Sequence, residues 1–400
     1  MMQISGLRAN WKQFTLLVVI NAFVGGIIGM ERTVFPKFAV EVFGIESHLA
    51  MLSFIAAFGL SKAMMNYFSG RFAADFGRKN LLLLGWLVVL PVPLILNFTE
   101  SWIWVIFSNI LLGFSQGLTW TSTVVMKIDL VGEKDRGLAM GLNEFSGYLA
   151  LGLTAILSAS LAAKFGIRPI PFWVMEGIGV LGLIFSFFAR DTQKFVDQES
   201  AQAPSPEKTH VFWDTTWRDR SLSAVTQAGL VNNLNDGMIW GLFPVFLIAK
   251  GIGLQGVGEI AGIYPVVWGV GQLFTGKMAD HFSHKKLLFW GMLIQGLGIM
   301  SLVWFDSAWS FKIILGFLGL GTALVYPTFM TAIAARTHPQ QRAESLGVFR
   351  LWRDLGYAFG ALLSGIIADK LGVETAIMSV GGITLLSSII LKVRMPNRVY

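Results

Sequence analysis

RGLAMGLNEFSGYLALGLTAILSASLAAKFG, residues 136 to 166, and RAESLGVFRLWRDLGYAFGALLSGIIADKLG, residues 342 to 372, are two versions of one segment. A shift of 206 positions, the difference between 342 and 136, lays Arg136 on Arg342, Gly141 on Gly347, Ser158 on Ser364, Lys164 on Lys370 and Gly166 on Gly372. The same shift carries Gly70 to Gly276, Ala73 to Ala279, Phe76 to Phe282 and Lys79 to Lys285. Chance similarity between apolar runs does not hold one offset through several segments and their loops. The chain is read as an internal duplication.

The composition says what is duplicated. Of 400 residues 54% are hydrophobic and only 14% charged, with 32 Phe and 14 Trp, which is outside the range of soluble globular chains. About 20 mostly apolar residues cross a bilayer as a helix, and the sequence offers twelve such stretches: 14 to 38, 48 to 69, 80 to 98, 101 to 127, 137 to 163, 170 to 189, 222 to 249, 256 to 279, 286 to 305, 308 to 335, 342 to 368 and 373 to 394. They are too long and lack the alternation of outer-membrane barrel strands. A polar segment with APSPEK at its centre separates the sixth from the seventh. The expected fold is an all-α membrane protein of twelve transmembrane helices in two pseudo-symmetric six-helix halves, 1–189 and 221–400, joined by a linker at 190–220. Such parallel halves place a site between them, exposed alternately to each side.

The net charge of +7 is spread by topology and does not form a nucleic-acid face. If both termini share one side, nearly all Lys and Arg outside the spans fall there, with Lys164, Arg168, Lys250 and Lys370 the chief exceptions. The positive-inside rule then puts both termini in the cytoplasm. With no cysteine, disulfides and thiolate metal sites are absent. The first apolar run lacks a small-residue cleavage site and leads straight into a second span, so it reads as a span and not a cleaved signal.

GRFAADFGRK (70 to 79), after the second span, and GKMADHFSHKK (276 to 286), after the eighth, resemble the loop signature of the major facilitator superfamily (MFS), roughly G-x-x-A-D-R-x-G-R-K. In the first copy Ala74 stands at the signature's Asp and Asp75 one position later; in the second Asp280 is in register and Ser283 replaces a glycine. The resemblance covers essentially the whole chain. It implies a bacterial cytoplasmic-membrane permease, monomeric, embedded in the lipid bilayer, working without cofactor or metal on a small-molecule substrate with protons as partners. It also implies that Gly70, Asp75, Gly77, Arg78, Gly276, Asp280 and Lys285 belong to the signature loops, whose charges latch the cytoplasmic side in the outward-facing state. By the same resemblance spans one, four, seven and ten line the cavity, while two packs on eleven and five on eight across the halves. ILLGFSQGLTW (110 to 120) keeps a Gln-Gly pair but has Gly113 where many proton-coupled members carry Arg. GYLALGLTAIL (147 to 157) is glycine-rich like the antiporters' fifth span but lacks their Gly-Pro pair.

A charge near the bilayer centre costs a few kcal/mol on insertion-based scales, so it is expected to face a partner or a wet cavity. Glu31, Arg32 and Asp236 lie deep in spans one and seven, with Asn232 and Asn235 close to Asp236; with Trp120 and Tyr326, related by the 206 shift, they form the expected substrate and proton site. Gly237, Gly241 and Pro244 offer span seven a bend. Lys62, Glu144, Tyr148, Arg350, Arg353 and Asp354 form the expected gating seam. Positions three and four apart share a helix face, so Arg350 pairs with Asp354 on that reading, and Lys62, the basic residue of span two, meets Asp354 across the seam. Static helix–helix pairing is the competing reading for these charges. No phosphate loop, HExxH or nucleophile elbow is present, so the chain is not read as an enzyme. The expected activity is secondary transport by alternating access, as proton-coupled efflux of an amphipathic compound. Passage of an anionic metabolite held by Arg32 and a non-transporting receptor are the alternatives.

Overall fold

The computed structural model describes residues 6–131, 136–192, 210–337 and 341–396, without the side chains of 70–75, 136–138, 280, 342 and 343. Among the described residues all regular structure is helical. Backbone N–H and C=O groups find no water in hydrocarbon, so each apolar run closes its hydrogen bonds upon itself. We number the twelve long helices α1 (Leu7–Arg32), α2 (His48–Phe76), α3 (Arg78–Val89, resuming at Pro91–Phe98), α4 (Trp102–Val131), α5 (Arg136–Phe165) and α6 (Ile170–Phe187). The second set is α7 (Arg220–Ala249), α8 (Leu254–His281), α9 (His284–Ser301), α10 (Ala308–Ala334), α11 (Arg342–Leu371) and α12 (Val373–Arg394).

Ten of the twelve are long and apolar enough to cross a membrane on composition alone. The other two, α7 and α11, have the length, 30 residues each, but carry NNLND (232 to 236) and RLWRD (350 to 354). Asn232, Asn233, Asn235, Asp236, Arg353 and Asp354 are all buried, so these helices turn their polar residues into the protein. The outer surface is the reverse: Phe107, Leu153, Ile184, Phe274, Leu297, Ile313 and Leu386 stand exposed, and Trp104 and Trp309 are exposed near helix ends. An apolar surface of this extent is made for lipid.

Two helices break at proline. Pro36 has no N–H and its ring opposes the carbonyl four residues earlier, so α1 stops at Arg32 and resumes as Phe35–Phe43. Pro91 does the same to α3. By contrast α7 runs unbroken through Pro244. Gly241 serves close approach: a Cβ on it would collide with Leu52 of α2.

Helix packing repeats with a shift of six. α1 packs on α5 and α6, α2 on α4, and α3 on α4; α7 packs on α11 and α12, α8 on α10, and α9 on α10. Across the two sets α5 lies along α8 and α2 along α11. The start of α1 and the ends of α4 and α6 meet on one face, where Gly6 N donates to Leu130 O (2.9 Å) and Gln13 Nε2 to Phe188 O (3.2 Å). The start of α7 and the end of α12 also meet, with Arg394 Nη2 donating to Ser223 Oγ (2.8 Å). We call this the terminal face.

Candidate functional site

Between the two helix sets lies a cavity. Lys62 and Asn66 of α2, Trp120 and Val124 of α4, Gly141 and Glu144 of α5, Gln272 and Gly276 of α8, Tyr326 and Met330 of α10, and Arg350 and Arg353 of α11 line it. These are three pairs of helices equivalent under the shift of six. Most of these residues lie in the halves of their helices nearer the terminal face, so the cavity opens that way. A deeper, smaller space shares Lys62 and Trp120 and adds Arg32, Phe58, Tyr148, Trp240 and Tyr357. The two are floored by an aromatic layer. Tyr148 stacks on Trp268 with ring centroids 3.5 Å apart, Trp120 is 5.1 Å from Tyr148, and Tyr148 Oη donates to Tyr326 Oη (3.3 Å) across the halves.

The seam between α2 and α11 centres on Asp354, which is fully buried. Arg353 holds Oδ1 with Nε (2.8 Å) and Nη2 (2.7 Å); Asn233 Nδ2 donates to the same oxygen (3.2 Å), and Asn66 Nδ2 bonds to Oδ2 from the other half. Asp354 thus ties α11 to α2 and α7. Its partners are not Arg350 and Lys62. Arg350, four residues earlier, turns to the cavity instead, and neither it nor Lys62 makes a hydrogen bond or ion pair among the described residues. The Lys62 ammonium sits over three rings, Tyr357 (5.3 Å), Phe58 (5.4 Å) and Trp120 (5.7 Å).

On the side away from the terminal face the halves are clasped. Asp369 of α11 caps the first turn of α2: Oδ1 accepts from His48 N (2.7 Å), and Oδ2 from Leu49 N (3.1 Å) and Ser47 Oγ (2.7 Å). The exposed amides of a helix N-terminus favour a carboxylate. On the same side Lys250 donates to Asp306 (2.7 Å), a bond that raises its pKa above the ordinary lysine value.

Among the described residues, three buried carboxylates have oxygens without a hydrogen-bond partner. Both oxygens of Glu31 are buried and unbonded, beside the break at Pro36. Asp236 Oδ1 accepts from Tyr264 Oη (2.5 Å), and Oδ2 is buried and free. Glu144 Oε1 accepts from Trp120 Nε1 (3.0 Å) and Asn143 Nδ2 (2.9 Å), and Oε2 has no partner. Arg32 lies 4.4 Å over the Phe58 ring, with Nε and Nη1 unbonded.

The Major Facilitator Superfamily model matches residues 14–233 and again 225–399, two matches that together span nearly the whole chain. The chain belongs to the major facilitator superfamily. Among curated relatives it is similar to multidrug resistance protein MdtG of Citrobacter koseri, 22% identical over 96% of this chain and 95% of the relative. It is similar also to MdtG of Salmonella choleraesuis, 21% identical over 96% of each. Among solved structures it resembles the human organic anion transporter MFSD10 (TM-score 0.70, 16% identity, 95% of this chain and 99% of that one). It likewise resembles a POT family transporter in complex with 5-aminolevulinic acid (TM-score 0.76, 13% identity, 96% of each). At these identities the structures share the fold.

Against the expectations from its superfamily, this MFS chain agrees in its seams and differs in its lining. α2 lies on α11 and α5 on α8, but those same helices also wall the cavity. α1 and α7 reach only the deeper space, through Arg32 and Trp240. Trp120 and Tyr326 both face the cavity. Asn232 and Asn235, expected beside the substrate, turn away from it. Asn235 Nδ2 donates to Gln295 Oε1 (3.0 Å), Gln295 Nε2 to Asn232 Oδ1 (3.1 Å) and Thr384 Oγ1 to Asn235 Oδ1 (2.6 Å), a network that binds α7 to α9 and α12. Asn235 lies about 100° round the helix from Asp236, whereas Asn232 shares a face with Asp236 and is held by Gln295 instead.

Of the MFS signature loops, the surroundings of Gly70 and the side chains of Asp75 and Asp280 lie outside what the structure describes. Gly77 adopts φ 76°, a conformation that glycine takes at little cost, to turn α2 into α3. Arg78 bonds to Asp129 at the end of α4, which also accepts from Thr192 Oγ1 (2.5 Å), and Lys79 Nζ donates to Phe187 O (2.9 Å). These basic groups fasten α3 to its own half. The sequence reading does not single out Asn66, Tyr264, Trp268 or Tyr357. A signal exists for Asn66, four residues after Lys62 and so on its face; the aromatics are lost among many.

Proposed function

We propose that this MFS protein is a secondary transporter of the bacterial cytoplasmic membrane. It moves a small organic solute by alternating access, coupled to protons, in the direction of efflux, with both termini in the cytoplasm. The observation that carries the reading is one cavity between equivalent helices, open to the terminal face and clasped by Asp369 on the other. This is one state of a two-state carrier, the one facing the cytoplasm. Efflux is supported by the MdtG relatives and the aromatic floor. A counterflow assay in proteoliposomes with and without a pH gradient tests it; no substrate-dependent exchange under either condition would overturn it.

The proton carrier we propose is Glu31. A charged carboxylate held away from water with no partner is costly, so Glu31 is held as the neutral acid in this state and released when the cavity faces the other way. Glu31→Gln is expected to abolish gradient-driven transport and leave exchange without a gradient partly intact. Asp236→Asn and Glu144→Gln serve as comparisons, since each carries one bonded oxygen. Driven transport that survives in all three ends the coupling proposal.

Orientation has its own measurement. A reporter inserted within 195–210 is expected to read cytoplasmic and one at Glu46 periplasmic. The opposite pattern would invert the assignment of the open face.

A further inference from the structure

We propose that the cavity binds a planar organic anion, an aromatic carboxylate in chemical class, with its charge at Lys62 and Arg350 and its ring on the faces of Trp120 and Tyr326. The proposal rests on the transporter reading of the same cavity and names what that cavity takes.

Charge supplies the first argument. Lys62 is only 7% exposed, lines both the main and the deeper space, and makes no hydrogen bond or ion pair among the described residues. Its three ring contacts return part of the cost of holding an ammonium there, but they leave its three N–H donors unused. Arg350 is in the same condition on the opposite wall. Arg353, by contrast, is already neutralised by Asp354. Among the residues lining the main cavity the acidic one is Glu144, and one of its oxygens is taken by Trp120 and Asn143. The lining therefore has unmet cationic donors and little to attract a second cation.

Shape supplies the second. Trp120 and Tyr326 stand on opposite halves, both packed against Tyr148, with Trp268 also against Tyr326. Flat apolar faces beside a free ammonium and a free guanidinium suit a ring bearing a carboxylate.

The test uses the full-length protein in detergent, without any gradient, and three probes of one shape: 1-naphthoate, 1-naphthamide and 1-naphthylmethylamine. Binding is read by quenching of intrinsic tryptophan fluorescence and by calorimetry. 1-Naphthoate is expected to bind about tenfold or more tighter than the amide, as loss of charge-assisted hydrogen bonds implies, and the amine weakest. Lys62→Gln and Arg350→Gln are each expected to lower naphthoate affinity by about tenfold while leaving the amide unchanged. Lys62→Arg is expected to restore most of the loss. Arg350 is partly exposed on the wall, so its variant leaves no buried partner stranded and remains informative if Lys62→Gln folds poorly. Equal binding of the three probes, preference for the amine, no naphthoate binding, or an affinity unmoved by either glutamine variant overturns the proposal. Because no gradient is involved, those results leave the transport reading to be decided separately, by proton-driven exchange in liposomes.

Discussion

Asp354→Asn is expected to destabilise the protein by ~3 to 5 kcal/mol, the usual consequence of removing one member of a buried ion pair, and to abolish transport. The variant strands the Arg353 guanidinium and sets an amide donor against the donors of Asn66 and Asn233. Adding Arg353→Met removes the stranded charge, so the double variant is expected to cost less than the two single changes summed. Adding Lys62→Met is expected to recover little, because Lys62 makes no hydrogen bond or ion pair with the carboxylate among the described residues. Thermal unfolding in detergent and counterflow give the two readouts. An Asp354→Asn protein that melts and transports like the parent, or rescue by Lys62→Met, would show that the α2–α11 seam is not organised around this carboxylate.

The second large effect is expected at the clasp. Asp369→Asn removes the charged cap of α2, worth ~1 to 2 kcal/mol, and so shifts the balance of open states about tenfold toward the face opposite the termini. The absence of native cysteine makes this measurable by thiol labelling. Leu52→Cys reports the clasped side, where Leu52 lies against Gly241, and Met330→Cys reports the cavity wall. In the Asp369→Asn background labelling is expected to rise at position 52 and fall at position 330. Unchanged labelling at both would mean that the cap does not hold the halves together.

The duplication and the run of apolar segments are legible in the amino-acid sequence, each for a local reason, while the two seams are implied by the resemblance to the superfamily. Hydrocarbon forces a long apolar run to be a helix, a gene-level repeat forces the second set to pack as the first does, and a charge in such a run has to face inward. That is why Lys62, Glu144, Arg350, Arg353 and Asp354 stand out as a group. Which of them pair was decided by tertiary structure. Helical spacing allows Arg350 or Arg353 to serve Asp354, and only the approach of Asn66 and Asn233 settles that Arg353 bonds it while Arg350 faces the cavity. NNLND likewise reads as one polar cluster, and Asn232, four residues before Asp236, even shares its helix face; the partners brought by other helices divide it. Asp236 meets Tyr264 near the deeper space, whereas Asn232 and Asn235 are spent on Gln295 and Thr384 in the interior of the second half. The clasp is invisible in the sequence for the same reason: Asp369 and His48 are 321 positions apart, and nothing in either local sequence marks a carboxylate on one helix as the cap of another.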